Sequence, residues 1–183
     1  MKLAQVFAVA LAATLSAVAL TASAQVMVGG APMYSNKDII DNAVNSKDHT
    51  TLVAAVKAAG LVQTLKGPGP FTVFAPTNEA FAALPAGTVD NLLKPENKAT
   101  LTKVLTYHVV AGKMDAATIM KAIDAGGSKA TMTTVSGGTL TATRSGNTLM
   151  IGDESGGMAK VTIPDVIQSN GVIHVVDKVL LPK

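Results

Sequence analysis

The chain changes its hydrophobic period once, and that change limits the folds open to it. From Ser35 to Ala125 apolar residues recur mainly at helical spacing. From Thr131 to Leu181 they alternate in short runs rich in β-branched residues, separated by turns such as Ser136-Gly137-Gly138 and Ser169-Asn170-Gly171. Apolar residues every third or fourth position share one face of a helix, whereas strict alternation puts them on one face of a strand. Helices first and a strand meander afterwards, with no internal repeat and no long linker after residue 35, predict a single α+β domain over residues 35–183.

Punctuation refines that outline. Ser35-Asn36-Lys37-Asp38 has the form of a capping box, with Ile39, Ile40 and Val44 on one helical face behind it. A second helix is expected from about Asp48 to Gly60, and Leu61 to Lys66 adds a turn before Gly67-Pro68-Gly69-Pro70. Phe71 to Phe74 reads as a strand closed by Pro76, and Thr77 as the cap of a short helix through Leu84. Pro95 suits the first turn of a longer helix that carries Leu101, Val104 and Leu105 inward. Tyr107 to Val110 is expected as a strand, and Asp115 as the cap of a helix ended by Gly126-Gly127.

The amino terminus is of another kind. Lys2 precedes an apolar run from Val6 to Leu20, and Ala22-Ser23-Ala24 has the small-residue pattern of a leader cleaved after Ala24. The 48% hydrophobic content owes part of its height to this segment. The mature chain is expected to be secreted or periplasmic, with no membrane span once the leader is removed. Gln25 to Tyr34 has no clear period, so 25–34 is expected to be a flexible arm.

The residue inventory narrows the chemistry. There is no Cys, so disulfides, thiolate metal sites and thiol nucleophiles are all excluded. Arg144 is the lone arginine, and the lysines are scattered without an aromatic platform, which argues against nucleic-acid partners. His49, His108 and His174 lack metal-ligand spacing. His108 and His174 have apolar neighbours, and are expected to be half-buried rings bonded to backbone carbonyls. Gly152-Asp153-Glu154-Ser155-Gly156-Gly157 looks at first like a serine-protease segment. Glu154 interrupts it, however, and spoils the backbone geometry of an oxyanion hole beside Ser155. A Gly-rich hairpin loop is the plain reading. No catalytic residue, cofactor or metal is expected.

Three segments together resemble a known family. Phe71-Thr72-Val73-Phe74-Ala75-Pro76-Thr77-Asn78-Glu79-Ala80-Phe81 is similar to the first sequence box of fasciclin-like domains. Tyr107-His108 matches the Tyr-His pair between the boxes, and Gly171-Val172-Ile173-His174-Val175-Val176-Asp177 through Pro182 resembles the second box. The resemblance implies helices packed on a mainly antiparallel wedge of short strands. It implies a non-enzymatic adhesion module, expected to be a monomer, that meets a protein or glycan on a cell surface or matrix. In animal matrix members an Asp-Ile pair after Pro is linked to integrin binding. Here the stretch is Ile163-Pro164-Asp165-Val166-Ile167, with Val after the Asp and Ile where an acid is common. Carried over, the partner-binding candidates are Asp165, Val166, Ile167, Tyr107 and His108. The plainer expectation for Asp165 is a turn or capping carboxylate. Some fasciclin-like proteins bind pigments, so carriage of an apolar small molecule, a pigment or lipid, is the alternative function.

Overall fold

A computed structural model of the protein describes residues 25–183, so the leader read over 1–24 lies outside the described residues. The first half contains β1 (Met27–Val28), β2 (Ala31–Pro32), α1 (Ile39–Ala43), α2 (Thr50–Ala59), α3 (Val62–Lys66), β3 (Phe71–Pro76), α4 (Asn78–Ala82) and α5 (Thr88–Leu92). Then come α6 (Lys98–Tyr107), β4 (Val109–Ala111), α7 (Ala116–Ala125), β5 (Lys129–Thr133), β6 (Thr139–Ser145), β7 (Thr148–Gly152), β8 (Met158–Gln168) and β9 (Gly171–Val176). Single 3-10 turns at Lys47–His49 and Pro95–Asn97 lead into α2 and α6.

Strands β3 to β9 form one sheet in the order β4-β3-β9-β8-β7-β6-β5. Its central pair, β3 and β9, is parallel, with Phe71 opposite Gly171 and Pro76 opposite Val176. Every other pairing in the sheet is antiparallel. The two ends of the sheet touch, because Val110 bridges Thr134 and the Val135 amide donates to the Val109 carbonyl at 2.8 Å. That contact covers backbone which an open sheet edge would leave exposed.

Alternation along the central strands divides the interior in two. Val73, Ala75, Ile173 and Val175 point to a first core filled by Ile39, Leu52, Val56, Leu65, Phe81, Leu101, Val104 and Leu105 from the helices. Phe74 and Val176 point the other way, to a second core with Tyr107, Ile119, Ile123, Leu140 and Ile151. Neither face of this strand pair reaches water, which is the usual condition of parallel pairing.

Several expectations are met where local chemistry is strong. The Thr77 hydroxyl accepts from the Ala80 amide at 3.3 Å, and the Asp115 carboxylate accepts from the Thr118 amide at 2.7 Å. Others are corrected. The segment 25–34 is no flexible arm: it turns at Gly29-Gly30, both at positive φ, into the β1–β2 hairpin. Val28 and Met33 then enter the first core, and this burial is what orders it. The cap of α1 is Asp38 rather than Ser35, since the helix begins only where Ile39 and Ile40 can be buried, and Asp38 accepts from the Asp41 amide at 2.8 Å. Tyr107 closes α6, so its strand starts two residues later. Helix α5 has no clear signal in the sequence because it buries no residue fully. Strand β8 runs well past Ile163, absorbing Pro164 and Asp165 in an irregular register between Ile163 and Val166.

Two polar residues hold the helical layer to the sheet. Asn170, in the turn before β9, accepts from the Ile39 amide at 3.1 Å and donates to the carbonyls of Leu65 and Gly67. Buried Asn42 bonds both backbone groups of Tyr34 and the side chain of Gln168. Beside Asn170, a β-carbon on Gly171 would run into the Phe71 carbonyl oxygen, so only glycine lets β9 begin against β3. Asn170→Ala strands three backbone groups at once. It is expected to cost about 2–4 kcal/mol and to lower the thermal midpoint by roughly 5–12 °C, measured by calorimetry.

Candidate partner-binding site

The site is built around the irregularity in β8. Asp165 adopts a left-handed backbone, φ 55°, which turns its carboxylate toward α7. There it accepts from the amide of Ala116, the first residue of the helix, at 2.7 Å. An acid at that position also meets the positive end of the helix dipole. The Asp165 amide donates to Nδ1 of His174 at 3.3 Å, which requires the proton on Nε2; Nε2 then donates to the Met114 carbonyl at 2.8 Å. Thr72 completes the arrangement, donating to the Gly112 carbonyl at 2.6 Å and accepting from the Met114 amide at 2.9 Å. One strand residue, one ring and one carboxylate therefore position the loop before α7.

The next two candidates differ in access. Val166 is buried in the first core and pairs with Ile173. Ile167 is half-buried opposite Val172. Together with Asp165, Ile167 forms one wall of an open groove of about 500 Å³, whose other wall holds Gln25, Val26, Tyr34 and Asn36.

Tyr107 and His108 are not part of that surface. Tyr107 is 0% exposed and His108 2%. The Tyr107 hydroxyl donates to the Thr139 carbonyl at 2.7 Å and accepts from the Glu154 amide at 3.0 Å, while the Glu154 carboxylate accepts from the Thr139 amide. Burial raises the pKa of Tyr107. His108 donates from Nδ1 to the Val104 carbonyl at 2.8 Å and accepts at Nε2 from the Leu180 amide at 2.9 Å. The pair joins α6 to the hairpin loop and to the carboxyl-terminal segment.

The Gly152–Gly157 loop is likewise occupied. Asp153 accepts from the amides of Gly157 and Leu181, and Ser155 donates its hydroxyl to the Leu181 carbonyl at 2.9 Å. Both nitrogens of His108 and of His174 are engaged with backbone, so these rings are more buried than the sequence suggested. His49 bonds Ser46 through Nδ1 at 2.9 Å and lines a small apolar cavity of about 60 Å³ in the first core, with Leu52, Val56, Val73 and Leu105. Among the described residues no three His, Asp or Glu side chains gather as metal ligands, and no helix is long and apolar enough to cross a membrane.

Thr72, Asn42, Asn78 and Asn170 were not singled out from sequence. Asn78 accepts from the Thr51 amide at 3.0 Å and donates to the Lys47 carbonyl at 2.8 Å, fastening the start of α2. Thr72 and Asn78 stand in the first box without a role of their own there, and Asn170, between Ser and Gly, signals a turn rather than an anchor.

Known proteins share this fold. The model of the fasciclin domain matches residues 47–182. The chain belongs to the fasciclin domain family. The fasciclin match starts inside the 35–183 region expected from sequence and leaves out the β1–β2 hairpin and α1. Protein sll1483 of Synechocystis is 46% identical over 164 residues, covering 88% of this chain and 83% of that one. The immunogenic protein MPB70 of Mycobacterium bovis is 39% identical over 145 residues, 76% of this chain and 66% of that one. A solved fasciclin domain pair from the insect cell adhesion molecule fasciclin I superposes with a TM-score of 0.70 at 18% identity, over 79% of this chain and 51% of that chain. At that identity the likeness speaks for the fold. The α+β wedge is thus the fasciclin fold, and its two boxes are the adjacent parallel strands β3 and β9.

The buried rings give the domain a pH dependence. Burial pushes the pKa of His108 from 6.5 to about 4, and lowers that of His174 for the same reason. An unfolded chain takes up these protons below pH 6.5 while the folded one does not, so stability is lost as pH falls from 6.5 toward 4. His108 alone is expected to account for about 3 kcal/mol over that window, read from urea unfolding at each pH. His108→Gln is expected to flatten the profile there.

Proposed function

We propose that the chain is an exported, non-enzymatic adhesion module that meets a protein or glycan of a cell surface or matrix through the groove wall at Asp165 and Ile167. The observation that carries this reading is the position of Asp165. Its backbone amide is held by His174 and one carboxylate oxygen by the Ala116 amide, while the residue borders an open groove. A rigidly placed carboxylate beside a half-buried aliphatic residue offers a partner one charge and one apolar contact without loss of chain entropy. Val166 takes part only through its backbone, since its side chain lies in the core. Tyr107 and His108 take part indirectly, by fixing the elements around the sheet. Family membership and the fold shared with an insect adhesion molecule support the same reading.

Carriage of an apolar small molecule draws support from the cavity beside His49, whose walls are mostly apolar. Its volume of about 60 Å³ suits solvent-sized guests, whereas a pigment or lipid needs several hundred cubic ångströms. Adhesion is therefore preferred.

Asp165→Asn separates charge from structure. The amide keeps an acceptor for Ala116 and tolerates positive φ, so the thermal midpoint is expected to stay close to the parent. Attachment of cells of the source organism to surfaces coated with the variant is expected to fall roughly tenfold in apparent affinity. Unchanged attachment by a folded variant would remove Asp165 from the proposal.

A further inference from the structure

The groove has a second feature that the adhesion reading does not use: one of its walls begins at Gln25, the residue that follows the leader pattern Ala22-Ser23-Ala24. We propose that leader removal after Ala24 exposes Gln25 as the amino terminus, and that Gln25 then closes to pyroglutamate at the lip of the groove. The proposal rests on the cleavage reading, not on the identity of any partner.

The chemistry needs nothing beyond the residue itself. The free α-amine attacks Cδ of its own side-chain amide, the N–Cδ bond forms, the Cδ–Nε2 bond breaks, and ammonia leaves after proton transfer to nitrogen. No oxidant or reductant enters. An α-amine with a pKa near 8 is about one-tenth neutral at pH 7, so the nucleophile is present under ordinary conditions.

The fold leaves room for ring closure. Gln25 is exposed and lies outside β1, so its amine and side chain belong to no strand ladder. The chain is first gripped one residue later, where the Val26 carbonyl accepts from the Met33 amide at 2.9 Å and Val26 packs on the first core. Closing the ring uses only the amine and side chain of residue 25 and keeps its peptide link to Val26. The hairpin behind it, Met27 opposite Pro32, is undisturbed.

The consequence is electrostatic. Asp165 is the one charged side chain among the described residues lining this groove. A free ammonium at Gln25 would place a cation at the same groove, whereas a lactam is neutral and leaves Asp165 as the groove's one charge. Cyclisation would also deny aminopeptidases a free amine at the end of the hairpin.

Intact-mass measurement and amino-terminal sequencing of the full chain, freshly exported under its own leader, test this directly. The expected result is a chain beginning at residue 25, lighter by one ammonia, blocked to sequencing, and opened to sequencing by pyroglutamate aminopeptidase. Gln25→Ala is expected to show the same cleavage site with a free amine and no missing mass. A parent chain that begins at Gln25 with its full mass and a reactive amine overturns the cyclisation and leaves the cleavage standing. A chain that begins at any other residue overturns both.

Discussion

The parallel pairing of β3 with β9 is the constraint on which the remaining structure depends. Two strands that run the same way cannot be joined by a tight turn, so everything between Pro76 and Gly171 must be laid out as their connection. The pair is buried on both faces, and the alternation of Val73 and Ala75 with Thr72 and Phe74 assigns each neighbouring element to one core or the other. The first core takes the helices before β4, apart from the Tyr107 end of α6. The second takes α7, the meander from β5 to β7 and the Ala159–Val161 part of β8, whose Val166 enters the first core. The ring of Phe74 stacks on that of His174 directly opposite it, with centroids 5.6 Å apart, so the polar residue in the middle of β9 is covered rather than exposed.

A chain without cysteine has to hold its layers together by other means. Here polar side chains reach across sequence to backbone groups that their own elements leave unpaired. Asn170 serves α1 and α3, Asn78 serves α2, His108 holds Leu180, and Asp165 and His174 hold the loop before α7. Each such bond contributes only about 1 kcal/mol net, but losing one partner leaves a buried amide or carbonyl unsatisfied, which costs more. The ion pairs of solvent-facing Lys66 with Asp38 and Asp41 add little beside them. In the Tyr-His pair and at His174 of the second box, the polar ring atoms bond backbone in the interior.

Legibility followed the range of the interaction. Thr77 and Asp115 are legible as caps because a cap and its helix are neighbours in sequence. The cap of α1 falls three residues after Ser35 because that helix starts where Ile39 and Ile40 can be buried, and the Ile39 amide is met by Asn170, 131 positions away. The hairpin at 27–32 was missed since its order comes from burial of Val28 and Met33 against distant helices. Of the candidate site, Asp165 was visible as a carboxylate in a Pro-Asp turn. Its bond to Ala116 was not, because that bond joins the irregular stretch of β8 to a helix placed by a separate part of the chain.

By itself, then, the sequence determined the α+β class, most caps and turns, and the family, because these rest on periodicity, short-range hydrogen bonding and three ordered motifs. Only the tertiary structure decided which candidate residues meet solvent. It buried Tyr107, His108 and Val166 and brought Asp165 and Ile167 to a groove beside Gln25. The physical reason is that exposure is a property of packing between layers. Alternation along a strand shows that two faces exist, but which face is covered depends on elements that approach from elsewhere in the chain.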